Sequence, residues 1–232
     1  MNKNPLLSRR LGWIIDNPNP PVYFSKGENL KNEELTNMNH NSNIKILVLD
    51  NYDSFTYNLV HIIRELGYGD QMTVVRNDKI SLEEIEEYDK ILLSPGPGLP
   101  KDAGIMPELI AKYGKDKHIL GICLGHQGIS ENYGASLFNM PEVLHGVGTS
   151  ATILGKDPLF EGVPEKLQVA RYHSWCVDAE SLNGELNLLA VDDENRVMAV
   201  KHKQYSVYGL QFHPESVITE HGIQMMKNWL EM

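Results

Sequence analysis

Residues 44–66 read IKILVLDNYDSFTYNLVHIIREL. Ile44 to Leu49 is a near-continuous apolar run, the pattern of a parallel strand covered on both faces, and Tyr57 to Leu66 places Leu59, Ile62, Ile63 and Leu66 on one helical face. A polar stretch, Asp50 to Ser54, joins them, so the segment is a βα unit. Downstream the alternation continues. Met72 to Val75 predicts a second strand, Ser81 to Glu87 a short acidic helix, Ile91 to Leu93 a third strand and Ile105 to Tyr113 a further helix. His118 to Ile122 predicts a fourth strand that runs straight into Cys123. Alternation with short loops predicts an α/β fold, a doubly wound and mostly parallel central sheet with flanking helices, whose ligands bind outside the carboxyl ends of the strands. The second half is richer in strands: Ser150 to Leu154, Leu167 to Arg171, Leu188 to Val191, Val197 to Lys201 and Val207 to Gln211, closed by a helix from about Thr219 to Leu230.

Upstream of Ile44 the composition changes. Residues 1–43 hold ten Asn and four Pro with neither helical nor strand periodicity, which predicts a poorly ordered extension ahead of one domain at 44–232. The five apolar residues after Arg10 are too few for the core of a signal peptide. Met38 offers an alternative translation start, and the extension is expected to be dispensable for turnover.

The 232 residues suffice for one sizeable core, and no apolar run approaches the roughly 20 residues that cross a bilayer. The balance of 21 basic against 31 acidic residues, −10 overall, argues against nucleic-acid binding, which draws on clustered Lys and Arg. Only Cys123 and Cys176 occur, in neither a metal-ligand spacing nor a disulfide framework, so a cytoplasmic location and no metal are expected.

Three segments carry chemistry. In Gly121-Ile122-Cys123-Leu124-Gly125-His126-Gln127 a cysteine sits at the junction of a buried strand and a helix, between glycines. A turn that sharp strains the backbone, small neighbours relieve the clashes, and the unpaired N–H groups of the helix start favour a thiolate. A buried structural cysteine is the alternative for this segment alone. Gln211-Phe212-His213-Pro214-Glu215 follows the last strand, and in an extended stretch His213 and Glu215 would point the same way, the carboxylate fixing the imidazole. A surface pair explains a lone His-x-Glu equally well. Ser94-Pro95-Gly96-Pro97-Gly98 follows the third strand and suits a rigid oxyanion hole or a plain turn. The polar groups after the first strand are compatible with helix capping by Asp53 or Ser54.

Together these segments, with Asp50 to Leu59 and Arg171-Tyr172-His173-Ser174-Trp175, resemble the class I (triad-type) glutamine amidotransferases, and among them the small subunits of anthranilate synthase and aminodeoxychorismate synthase. The likeness covers about residues 44–231 and implies a flavodoxin-like fold. It implies Cys123 as nucleophile, His213 as base and then acid, and Glu215 as its orienting partner. The backbone N–H groups of Gly96 and Leu124 would form the oxyanion hole. Gly96, Pro97, Gly98, Gln127, Ser174 and Trp175 would hold glutamine, Trp175 through its backbone, while Cys176 is a buried bystander. The resemblance further implies no cofactor on this chain, and a larger partner subunit that binds chorismate and Mg²⁺ and receives ammonia. It places His126, His145-Gly146 and Thr149-Ser150 near the subunit contact. Anthranilate, feeding tryptophan, is the product favoured; aminodeoxychorismate, feeding folate, or service to both synthases stays open. A free-standing γ-glutamyl hydrolase and a catalytically dead binding module are the remaining alternatives.

Overall fold

Alternate side chains of Ile46–Asp50 (β1) enter two different cores, which is why the strand is apolar at nearly every position. The computed structural model describes residues 43–182 and 184–232. Ile46 and Val48 pack in one layer with Leu59, Ile63, Met225 and Trp229; Leu47 and Leu49 pack in the other with Met106, Leu109, Ile110, Leu124 and Ile129. Each fully buried aliphatic side chain contributes roughly 2 kcal/mol, so a polar residue at any of these four positions is costly. The first layer holds the helices Thr56–Ile63 (α1) and Gly222–Glu231 (α4); the second holds Met106–Tyr113 (α2) and Leu124–Asn132 (α3).

Around β1 the sheet adds Met72–Arg76 (β2), Lys90–Leu93 (β3), His118–Ile122 (β4) and Val207–Leu210 (β11) in parallel. Beyond β11 the strands Val197–His202 (β10), Leu186–Asp192 (β9), Val147–Ile153 (β6) and Lys166–Arg171 (β7) continue the same sheet antiparallel. The order is β2-β1-β3-β4-β11-β10-β9-β6-β7. The doubly wound parallel sheet is therefore present, and the strand-rich second half extends it. A separate two-stranded ribbon pairs Leu137–Asn139 (β5) with Trp175–Val177 (β8), which residue patterning did not reveal because each strand is three residues long.

Three elements differ from expectation. The acidic helix Ser81 to Glu87 is only a 3-10 turn, Glu84–Glu87, in which Ile85 alone is buried. Ser81 and Glu84 bond reciprocally there, but a single apolar anchor does not carry a longer helix among like charges. Regular α1 stops at Ile63 and widens into a π-type turn, Arg64–Tyr68. The closing helix begins at Gly222 rather than Thr219, because Thr219 is taken by tertiary bonds: its hydroxyl accepts the Ala170 N–H at 2.9 Å and donates to the His213 carbonyl at 2.6 Å. The extension assigned to residues 1–43 and the start at Met38 lie outside the described residues, Asn43 excepted. Among the described residues no helix is long and apolar enough to cross a membrane.

Candidate functional site

Strand β4 delivers Cys123 to the carboxyl edge of the sheet, and α3 starts at the next residue. Cys123 has φ 52° and ψ −99°, a left-handed conformation that costs a non-glycine residue of order 1–3 kcal/mol. Surrounding structure holds it there. The Cys123 N–H donates to the Leu210 carbonyl of β11 at 2.8 Å, and a Cβ on Gly121 would lie 2.4 Å from the Gly125 backbone, so only glycine lets the helix fold back onto its strand. Cys123 is buried, with 6% of the residue exposed.

The register of β4 on β11 aligns Gly121 with Gly209 and Ile122 with Leu210, so the chain leaving each strand emerges at the same edge. His213 arrives from β11 by this route. Its Nδ1 meets Glu215 Oε1 at 2.6 Å with both side chains buried. The pair forms within a turn, the Ser216 N–H bonding the His213 carbonyl at 3.2 Å, rather than in the extended stretch expected from sequence. Burial alone would push the His213 ring down, but the Glu215 carboxylate and the Cys123 side chain outweigh it and hold the imidazole well above its ordinary value. Nε2 has no hydrogen-bond partner among the described residues. Tyr172 and Phe55 wall the ring edge-on at centroid distances of 4.9 and 5.7 Å, and His145 packs on Tyr172 at 5.4 Å. Both wall residues lie in segments that carry the resemblance, Asp50 to Leu59 and Arg171 to Trp175, yet the sequence gives neither a role, since an aromatic after a strand has no signature of its own.

The Ser94–Gly98 loop is braced from β1. The Asn51 N–H donates to Ser94 Oγ and its side-chain amide to the Ser94 carbonyl, both at 2.8 Å, and Asn77 donates to Asn51 Oδ1 at 3.0 Å. A Cβ on Gly96 would lie 2.6 Å from the Asn51 carbonyl and 2.7 Å from Leu124 Cδ2, so glycine is required where the loop meets the start of α3. Gly96 and Leu124 are thus neighbours, and Leu124, in the first turn of its helix, has no helical acceptor for its N–H. Pro97 and Gly98 are exposed at the mouth. No side-chain cap starts α1; Asp50 ties the loop to the helix instead, accepting from Thr56 Oγ1 at 2.9 Å, while Asp53 accepts the Phe55 N–H.

Gln127 faces the segment 171–175 across this edge. Its amide donates to the Trp175 carbonyl at 2.8 Å and to Gln211 Oε1 at 3.2 Å, so the backbone of Trp175 is the part that points into the site. Ser174 is half-buried beside it and accepts the Met140 N–H. Cys176 is buried as expected, its thiol pushed up to about 11 by burial. Among the described residues no group of three or more His, Cys, Asp or Glu is arranged to hold a metal ion.

His126 differs from the other residues placed near the subunit contact. His126 has no exposure and is not available for a subunit contact: it turns from α3 into β11, where Gly209 leaves room, a Cβ there lying 2.5 Å from His126 Nδ1. His145 and Gly146 are exposed; Thr149 and Ser150 are half-buried, Ser150 Oγ accepting from Gln168 at 3.1 Å.

Burial pushes both His126 and His173 down to about 3, with Arg171 adding to the effect at His173. Below pH about 6.5 the unfolded chain binds a proton at each ring that the folded chain does not, so stability is full above that pH and falls as pH drops toward 3. His213 works in the opposite sense, its contribution being present at low pH and lost as pH rises. Urea denaturation between pH 6.5 and 4.5 should show stability falling with a slope approaching ~1.4 kcal/mol per pH unit for each of the two rings. His126→Gln should remove about one proton from that slope; an unchanged slope would disprove its assignment.

The arrangement is equipped for acyl transfer: a sulfur at a helix start, a carboxylate-oriented imidazole beside it, and a glycine loop opposite. The family described as "Glutamine amidotransferase class-I" matches residues 47–232. A Bacillus subtilis (strain 168) protein named "Aminodeoxychorismate/anthranilate synthase component 2" is 41% identical over 188 residues, 80% of this chain and 95% of that protein. A Thermotoga maritima protein named "Bifunctional protein TrpGD" is 40% identical over 190 residues, 81% of this chain but 32% of its own greater length. Among solved structures, a putative GMP synthase protein from Thermoplasma acidophilum superposes with a TM-score of 0.73 at 28% identity, over 83% of this chain and 94% of that one.

Proposed function

Because the chain belongs to the class I glutamine amidotransferases, we propose that it is the glutaminase subunit of anthranilate synthase, supplying ammonia to a chorismate-binding partner. The Cys123 thiolate attacks the side-chain carboxamide carbon of glutamine, and the developing oxyanion is met by the N–H groups of Gly96 and Leu124. His213 gives its proton to the departing nitrogen, and ammonia leaves. A water then loses a proton to His213 and attacks the γ-glutamyl thioester, releasing glutamate and restoring the thiolate with His213 protonated as at the start. Glu215 holds the imidazole in the tautomer and orientation both steps need. Gly96, Pro97, Gly98, Gln127, Ser174 and the Trp175 backbone position the substrate.

The single observation that carries this reading is the adjacency of β4 and β11, which delivers Cys123 and the His213–Glu215 pair to one edge. These steps use side chains and backbone amides of this chain, so no metal or organic cofactor is assigned to it; Mg²⁺ and chorismate are assigned to the partner. The cytoplasm is the proposed location, in keeping with two free cysteines. The Bacillus relative's name favours a second reading, the glutaminase subunit of aminodeoxychorismate synthase or one serving both enzymes.

Pairing the purified chain with the chorismate-binding component of each candidate synthase, then identifying the aromatic product, decides between them. Glutaminase turnover should rise strongly on adding the right component, with anthranilate as product. Aminodeoxychorismate alone would select the second reading, and full turnover without any partner would indicate a free-standing hydrolase.

A further inference from the structure

Gln211 lies between the sulfur and the substrate-facing glutamine, in neither of the roles assigned so far. It is fully buried immediately after β11, and its carboxamide reaches both ways: Nε2 donates to Cys123 Sγ at 3.8 Å, and Oε1 accepts from Gln127 Nε2 at 3.2 Å. The other N–H of Gln127 goes to the Trp175 carbonyl. With both hydrogens of that amide used inside the protein, its oxygen is the atom left for substrate, an acceptor suited to an ammonium group. The Trp175 carbonyl can only accept, which fixes the direction of these bonds, and it takes a second donor from the other side. Arg171 Nε donates to His173 Nε2 at 3.0 Å, so His173 carries its proton on Nδ1 and donates it to the same Trp175 carbonyl at 2.8 Å.

We propose that Gln211 is a positioning residue for glutamine hydrolysis: one carboxamide couples the orientation of Gln127, which recognises the substrate, to the position and charge of the Cys123 sulfur. The inference rests on Cys123 being the nucleophile. An N–H aimed at sulfur favours the thiolate, the stronger acceptor, over the thiol. A carboxylate in the same place would still accept from Gln127 but would set a negative charge against the sulfur.

The test uses the full chain with Gln211→Glu and Gln211→Leu. Alkylation of Cys123 by iodoacetamide, followed across pH by mass spectrometry of the Cys123 peptide, reads thiolate formation without any partner protein. Gln211→Glu should move the midpoint of that profile upward by about one pH unit and lower kcat about tenfold or more. Gln211→Leu should raise KM for glutamine as well as lowering kcat, because Gln127 loses an anchor. A purely structural role would lower the folded fraction and leave the profile and KM of the folded remainder unmoved. Should Gln211→Leu fail to fold, the near-isosteric Gln211→Glu decides. A profile that does not move, with kcat/KM within about twofold of the parent chain, overturns the proposal. If Cys123→Ala itself keeps glutaminase turnover, it is the parent reading that fails instead.

Discussion

Cys123→Ala abolishes glutamine-dependent synthesis by the complex, by ~10⁴-fold or more, while synthesis from added ammonium salt continues at the parent rate. The first half follows from the chemistry: without sulfur there is no thioester, and neither His213 nor the backbone N–H groups supply another nucleophile. The second half follows from the structure. Alanine keeps the Cβ, and the Cys123 N–H still bonds the Leu210 carbonyl, so the elbow and the face it presents are preserved. Thermal stability should change little, since the group removed is a single sulfur whose bond to Gln211, at 3.8 Å, is weak. Parallel assays with glutamine and with ammonium at alkaline pH check both halves. Loss of both activities would mean that the residue holds the complex together rather than attacking substrate.

Asp192→Ala destabilises the fold by roughly 3–5 kcal/mol, measured by urea denaturation at neutral pH. Arg171 has no exposure, and its Nη1 meets Asp192 Oδ2 at 2.6 Å; Arg196 Nε meets the same oxygen at 2.6 Å from a partly exposed position. Asp192 Oδ1 also accepts the N–H groups of Glu194 and Arg196. Burial pushes the carboxyl up, but the Arg196 backbone and side chain and the Arg171 charge outweigh it and hold it below the usual carboxylate range. Removing it strands the Arg171 guanidinium in the core with His173 Nε2 and two sulfur atoms as neighbours, none able to balance a full charge. Arg196 can return to water, so the cost falls on Arg171. Arg171→Met combined with Asp192→Leu should recover much of the loss, because neither desolvated charge remains. A penalty for Asp192→Ala below about 1 kcal/mol would show that water reaches Arg171. The same network ends on the Trp175 carbonyl, so Asp192→Ala should also raise KM for glutamine in the fraction that folds.

The sequence by itself determined the strands and helices of the parallel half, and its motifs named the residues proposed to react. Apolar runs and helical faces are properties of consecutive residues, so β1, β4 and α2 were legible within a residue or two. A cysteine between glycines at a strand end states its own strain. Tertiary structure decided the rest. That β11 lies beside β4, bringing together residues 88 apart, depends on which edge buries most surface over the whole core, and no local pattern encodes that choice. The same holds for His126, whose α3 position reads as polar and accessible until Gly209 opens a space beneath it. It holds also for the Gln127–Gln211 bond, made of two ordinary amides 84 residues apart whose direction follows from the Trp175 carbonyl, which can only accept.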